Sequence, residues 1–537
     1  MIYPVPAKIE FYGEAYNSAS FMLCGDCAAQ AAKIFNSKGI TLGDGFRIEF
    51  RLCENADSPE NYTITINGGK AVVTLNSTSA VRFAAYTLTK LILNGELRDG
   101  VIEDGPKFKK RGYIEGFYGK TWSHEKRESV MRLMSEYGMN TYYYAPKDDI
   151  YHREKWRELY PENELSQLRS LVELAAECGM QFNWCVGPGL SYNYCSQKDF
   201  DCLIEKFKSL YKIGVKSFGL LLDDIPWEFQ YEDDAARYAS IADAHTELVN
   251  NTYKVLKEFD ASITLTVCPT QYSGDEHGEY VKKFGSGIPE DVFIFWTGEE
   301  ICSRVLTVRE CLELKKSTGR SVLFWDNYPV NDCEMFHEMH LGALIGRDKE
   351  LYTACDGLIS NVMEYAECSK IPLMTVADYL WNPIDYNPGK SLKNAHKVIL
   401  GDKAELFFYF ADHLGVSCLS KYSSAYMSNK LSHIAFLASK GEADAAFAEF
   451  SEYNANMRRC YEMLCDESVE LFKELKKWVI KFGMCCDLLD AILEARRDPN
   501  EENMKKLAEL THAYNFDAVV LTGFCLREAA EKTLGLY

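Results

Sequence analysis

A chain of 537 residues is long for one domain and points to two or three, and 47% hydrophobic residues are ample for real cores. Lysine and arginine total 59 against 79 aspartates and glutamates, a formal charge of −20, with no basic block to attract nucleic acid or an anionic membrane. No apolar run in the sequence reaches the length that spans a bilayer. The opening MIYPVPAKIEFYGE lacks the basic start, apolar stretch and cleavage site of a secretory signal, and the nineteen cysteines follow no repeating frame. Both favour reduced thiols and a cytoplasmic setting, with secretion staying open if a leader has been trimmed.

Residues 1–105 read as a small α+β domain. KIEFYG, FRIEFRL, YTITI and AVVTL alternate as strands do, Asn67, Gly68 and Gly69 supply a hairpin turn, and 78–93 has helical spacing. Residues 106–394 repeat a different unit, a short apolar or β-branched run followed by a helix. The runs are RGYIEG (111–116), NTYYYAP (140–146), QFNWCVG (181–187), SFGLLLDD (217–224), ITLTVCPT (263–270), VFIFWTG (292–298), SVLFWDN (321–327) and DGLISNV (356–362). This rhythm predicts an α/β fold, a (β/α)8 TIM barrel. An open doubly wound sheet is the alternative, but no Gly-rich phosphate fingerprint follows any strand. From 395 to 537 long helical segments predict a helical bundle, among them EADAAFAEFSEYNANMRRCYEML and ESVELFKELKKWVIKFGMCCDLLDAILEA. Those amphipathic helices could form a homodimer face or wall a groove on the barrel; bundle packing is the plainer expectation.

The stretch FGLLLDDIPW (218–227) ends a greasy run on two adjacent carboxylates, which repel each other and resist burial while charged. At the C-terminal rim of a barrel such a pair is placed to do acid–base work, with proximity separating the two pKa values. Strand ends across the barrel read Glu115-Gly116, Lys147-Asp148-Asp149, Asp223-Asp224, Thr270 with Tyr272, Trp296-Thr297, Trp325-Asp326-Asn327 and Asn361. Aromatic faces beside Asp, Asn and Lys suit a pyranose, which has an apolar C–H face and a rim of hydroxyls.

RGYIEGFYGKTWS, NTYYYAPKDDIYHREKWRELYP, FGLLLDDIPW, VCPTQYSG, WDNYPVND and SNVMEYAECSKIPL, in that order over about 111–380, resemble the signature blocks of glycoside hydrolase family 84. That family holds the β-N-acetylglucosaminidases called O-GlcNAcases and enzymes labelled bacterial hyaluronidases. The resemblance implies a retaining exo-β-N-acetylglucosaminidase that works by substrate-assisted catalysis through an oxazoline, without an enzymic nucleophile, cofactor or metal. It further implies that Asp223 orients the substrate's acetamide and that Asp224 is the general acid and then base. Tyr272 would bind the acetamide oxygen, Lys147 and the Gly116 backbone would hold sugar hydroxyls, and Asn327, Asp332 and Asn361 the remaining polar edge. Trp325 would wall the N-acetyl pocket and Cys268 line its floor. The implied partner is a GlcNAc-bearing glycan or an O-GlcNAc-modified protein.

Plainer roles stand beside these. Each Asp or Asn can cap a helix or shape a turn, Lys147 can form a rim ion pair, and Tyr272, Trp325 and Cys268 can simply pack. Cys24 and Cys27 form a CxxC at a helix start, a position that would lower a thiol pKa, yet no second ligand pair accompanies it. His337 and His340 are three apart, the wrong spacing for a zincin motif, and Cys485-Cys486 reads as core. Competing functions are an endo-acting hexosaminidase or hyaluronidase, decided by pocket against cleft, and an inactive carbohydrate-binding barrel.

Overall fold

A computed structural model describes residues 2–535. The first six strands are β1 (Lys8–Ala15), β2 (Phe21–Gly25), β3 (Phe46–Leu52), β4 (Tyr62–Asn67), β5 (Lys70–Leu75) and β6 (Arg98–Asp104), and they form one sheet in the order β1-β6-β4-β5-β3-β2. The β4–β5 hairpin turns on Gly68 and Gly69, both with positive φ, as its two-residue connection requires. The helix Ala80–Leu93 buries an apolar face on this sheet. Two strands went unread in the sequence, β2 and β6. In RDGVIED the charges and Gly100 disguise a strand that pairs on both sides, and the glycine is needed because a Cβ there would lie 2.2 Å from the Glu10 carbonyl.

Eight parallel strands close into a barrel: β7 (Lys110–Ile114), β8 (Thr141–Tyr144), β9 (Gln181–Val186), β10 (Ser217–Leu221), β11 (Thr264–Cys268), β12 (Phe293–Trp296), β13 (Leu323–Asp326) and β14 (Gly357–Asn361), with β14 pairing back to β7. Seven lie within a run picked out in the sequence, and β7 begins one residue before its run, at Lys110. Strand alternation divides the side chains. Ile114, Tyr143, Cys185, Leu221, Cys268, Phe295, Leu323, Trp325 and Ile359 fill the interior, whereas neighbours such as Tyr142, Leu220, Leu222, Trp296 and Phe324 pack against the surrounding helices.

Trp381, at the end of the last barrel helix (Ala366–Trp381), joins the core of the first domain and donates its indole N–H to Asp104 at 2.9 Å. The expected boundary at 394 falls inside the helix Pro388–Leu400, which packs along that last barrel helix. Beyond it lies the helical region, where the expected single helix over ESVELFKELKKWVIKF is broken at Leu475 into Glu470–Glu474 and Lys476–Arg497. The break lets Glu474 reach back to accept the backbone N–H groups of Glu367 and Cys368 at 2.8 and 3.0 Å, capping the last barrel helix. Cys485 and Cys486 are buried in this region's core.

Off the interior parity, Glu115 is fully buried and receives two hydrogen bonds from Arg127, at 2.8 and 2.9 Å, which tie β7 to the helix His124–Glu136. Arg127→Met should therefore strip a buried carboxylate of its cation and cost about 3–5 kcal/mol. Glu115→Met in the same chain should recover part of that loss, and denaturant unfolding of the two variants beside the unaltered chain reads both effects.

Candidate active site

At the C-terminal ends of the barrel strands lies a cavity of about 460 Å³. All ten positions singled out in the sequence line it: Gly116, Lys147, Asp223, Asp224, Cys268, Tyr272, Trp325, Asn327, Asp332 and Asn361. Parity explains the choice. Gly116, Lys147, Asp223, Asn327 and Asn361 continue the alternation of Ile114, Tyr143, Leu221, Trp325 and Ile359 into the mouth of the barrel. Their neighbours at the same strand ends do not reach it: Glu115 binds Arg127, Asp326 binds Arg347 at 2.8 and 2.5 Å, and Asp149 accepts the Tyr144 and Tyr160 hydroxyls at 2.9 and 2.6 Å.

The paired aspartates occupy different surroundings. Asp223 is 9% exposed and accepts Lys147 Nζ at 2.9 Å. Burial alone would push its carboxyl up, but the Lys147 ammonium holds it below the usual carboxylate range, and Lys147 is in turn raised by Asp223 against its own burial. Asp224, exposed to the cavity, has φ 50°. This left-handed turn, which Asp tolerates better than most residues, bends the side chain back over the mouth when a continued strand would aim it at the helices. Three contacts hold it there: Tyr118 and Tyr272 donate their hydroxyls to its two carboxylate oxygens at 2.8 Å each, and Arg153 donates to its carbonyl at 3.2 Å.

The opposite wall is a continuous hydrogen-bond chain. Gly116 N–H donates to Asn361 Oδ1 at 3.1 Å, Asn361 Nδ2 to Asn327 Oδ1 at 2.9 Å, and the Trp325 indole to the same Asn327 oxygen at 2.9 Å. Asp332 caps no helix; its carboxylate accepts the Tyr118 N–H at 2.7 Å, and burial raises its pKa. Cys268 is buried, with burial and Asp223 keeping its thiol protonated well above the ordinary range. His152 braces the Lys147 loop by bonding the Cys185 carbonyl at 2.8 Å; burial, then Lys147, depresses it to about 4.

Thr297, read in the sequence only as a strand end, lines the cavity, as do Tyr118, Ile301, Cys302, Val330, Cys333, Glu334 and Met335, which sequence reasoning left out. Tyr118 stood within the quoted RGYIEGFYGKTWS and Val330 within WDNYPVND; Ile301, Cys302, Cys333, Glu334 and Met335 arrive on loops whose paths no periodicity foretells. At the CxxC, burial and Asp26 raise the Cys27 thiol, contrary to the lowering expected of a helix start.

A family model described as beta-N-acetylglucosaminidase matches residues 111–412, more than half of the chain. The chain belongs to that family, glycoside hydrolase family 84. Among relatives of this β-N-acetylglucosaminidase-family chain, the protein O-GlcNAcases of Rattus norvegicus and Mus musculus are each 31% identical over 274 residues, 50% of this chain but 29% of theirs. Among solved structures, a mutant O-GlcNAc hydrolase of Thermobaculum terrenum superposes with a TM-score of 0.75 at 32% identity, covering 80% of this chain and 95% of that one. CpGH84B matches 99% of this chain and 100% of its own at a TM-score of 0.86 and 25% identity.

At Gly116 an added Cβ would stand 2.3 Å from Trp325 Cζ2. Gly116→Ala should displace the indole, loosen its bond to Asn327 and lower kcat/KM for an aryl N-acetyl-β-glucosaminide by about tenfold or more, mainly through KM. Steady-state kinetics check this, with circular dichroism confirming the fold.

Proposed function

We propose that the chain is a retaining exo-β-N-acetylglucosaminidase, removing terminal β-linked N-acetylglucosamine with the sugar's own acetamide as nucleophile. The observation that carries the reading is the divergence of Asp223 and Asp224 around one cavity, the first ion-paired to Lys147 and the second turned to the mouth between two tyrosines. Asp223, held as a carboxylate, accepts the acetamide N–H and raises the nucleophilicity of its carbonyl oxygen. That oxygen attacks the anomeric carbon while Asp224 gives its proton to the departing glycosidic oxygen, yielding the free aglycone and an oxazoline protonated on nitrogen, whose N–H stays hydrogen-bonded to the Asp223 carboxylate. Asp224, now a carboxylate, takes a proton from water as that water opens the oxazoline, restoring the acid and retaining the β configuration. Both aspartates serve one face of the sugar, so no second carboxylate is needed opposite.

Tyr272 is assigned to the acetamide oxygen, and Trp325 with Cys268 to the pocket for its methyl group. Lys147, Gly116, Asn327, Asp332 and Asn361 take the hydroxyl edge. A cavity of about 460 Å³, closed behind by the Gly116–Asn361–Asn327 chain, supports exo over endo action. An O-GlcNAc-modified protein is the favoured substrate on the names of the relatives, with free glycans as the second choice. A cytoplasmic setting is proposed with it, supported by nineteen free thiols.

Hydrolysis of para-nitrophenyl N-acetyl-β-glucosaminide, inhibited by a thiazoline analogue of the oxazoline, tests the reading; tight thiazoline binding without turnover would make the chain a sugar-binding barrel. Asp224→Asn should slow poor leaving groups far more than good ones, and equal losses would remove it as the acid. Asp223→Asn should slow both alike. Lys147→Met should remove the main influence that opposes burial of Asp223 and raise its pKa. Asp223 would then be neutral up to higher pH, moving the acid limb of the kcat/KM profile upward; an unmoved limb would refute the electrostatic role of Lys147.

A further inference from the structure

The end of β11 and the residues beyond it grip the aspartate-bearing segment at every second position. Cys268 accepts the Leu222 N–H on its carbonyl at 2.8 Å, and Tyr272 donates its hydroxyl to Asp224. Between them stands Thr270, which is buried and lies outside the cavity wall. With Leu222 bonded to Cys268, the next rung of a parallel ladder would carry the Thr270 N–H to the Leu222 carbonyl. The backbone does not make that rung. The Thr270 hydroxyl takes its place, donating to the Leu222 carbonyl at 2.7 Å, while the Thr270 N–H turns away to the Tyr280 hydroxyl at 3.2 Å.

Tyr280, on the helix Glu279–Gly287, is fixed from behind. Its hydroxyl meets His245 Nδ1 at 2.8 Å, and His245 Nε2 meets the Tyr194 hydroxyl at 2.7 Å. Burial depresses His245 to about 3, so its ring is neutral, with one nitrogen donating and the other accepting. When the Tyr280 O–H is given to Nδ1, its lone pairs face the Thr270 N–H and the Nε2–H goes to Tyr194, so one direction runs from Thr270 to Tyr194. The Tyr280 ring also stands edge-on to Trp227, three residues past Asp224, with centroids 5.2 Å apart and planes at 83°. Both aspartates are thereby strung between a carbonyl held by Thr270 and an indole held by Tyr280.

We propose that Thr270 and Tyr280 are positioning residues for the hydrolysis, clamping residues 222–227 and setting the plane of the Leu222–Asp223 peptide, and with it the angle at which Asp223 meets the acetamide. The inference rests on the hydrolase reading above. A side-chain hydroxyl in place of a backbone rung lets β10 and β11 part where the chain must leave the barrel wall for the left-handed turn at Asp224. Neither residue lines the cavity, so their effect reaches the reaction only through the segment they hold.

Thr270→Val keeps the shape and removes the hydroxyl; Tyr280→Phe keeps the ring against Trp227 and releases the Thr270 N–H. Each should lower kcat for para-nitrophenyl N-acetyl-β-glucosaminide by about tenfold while KM moves by about twofold or less, and Thr270→Ser should recover most of the loss. Calorimetric titration with the thiazoline analogue supplies a readout that needs no turnover: Thr270→Val and Tyr280→Phe should bind it about tenfold more weakly, and Thr270→Ser close to the unaltered chain. Circular dichroism and thermal melting follow the fold. Variants that melt earlier yet keep the original kcat and thiazoline affinity would reduce the pair to packing and overturn the proposal, as would a serine that restores nothing. An unaltered chain that binds the thiazoline without turning over would sink the hydrolase reading alone, because the affinity series still decides whether the pair sets the aspartates. Neither binding nor turnover by the unaltered chain would remove both.

Discussion

Closure of the eight-stranded parallel sheet is the constraint on which the rest of the molecule depends. Pairing of β14 with β7 leaves no sheet edge in the barrel and fixes an inside and an outside for every strand residue. Once that division exists, a residue's place in the alternation decides whether it meets the cavity or a helix. Trp325 and Asn327 face the mouth while Asp326 between them is spent on Arg347, and Gly116 meets the cavity while Glu115 is spent on Arg127. The outward charges are therefore structural, tying strands to the layer around them. The inward ones are free to meet a ligand.

The adjacent aspartates follow the same rule with one departure. Asp223 keeps the parity of Leu221 and goes inward to Lys147, where a lone buried carboxylate would not stay ionised. Asp224 has the wrong parity for the cavity and reaches it only through a left-handed backbone turn, a conformation that costs about 1–3 kcal/mol unless neighbours hold it. Tyr118, Tyr272 and Arg153 supply that hold. Strain at this single residue is what allows two neighbours in the chain to face one ligand from different angles.

Loops and the helical region complete the cavity. Asn327 is the node there: it accepts from Trp325 and Asn361, donates to the loop after β12 and accepts from Cys418 beyond the barrel. The helical region is fastened further by Glu474, which caps the last barrel helix and so breaks its own. A change in the Cys418 contact is positioned to be felt at the polar wall through Asn327.

Much of this architecture was legible in the residues because local rules govern it. Short β-branched and aromatic runs, each followed by a helical stretch, announce a barrel, and ordered blocks such as NTYYYAPKDDIYHREKWRELYP carry the family resemblance. Strands β2 and β6 escaped notice because tertiary pairing, not propensity, makes them strands. Only the folded chain could separate Asp223 from Asp224, since their difference is a positive φ and a lysine seventy-six positions away. Tyr118 and Cys302 likewise become parts of one cavity rim, and Cys418 reaches the Asn327 carbonyl behind it, through loop paths and domain packing. Those depend on contacts distant in sequence, whereas alternation and helical period are written between neighbours.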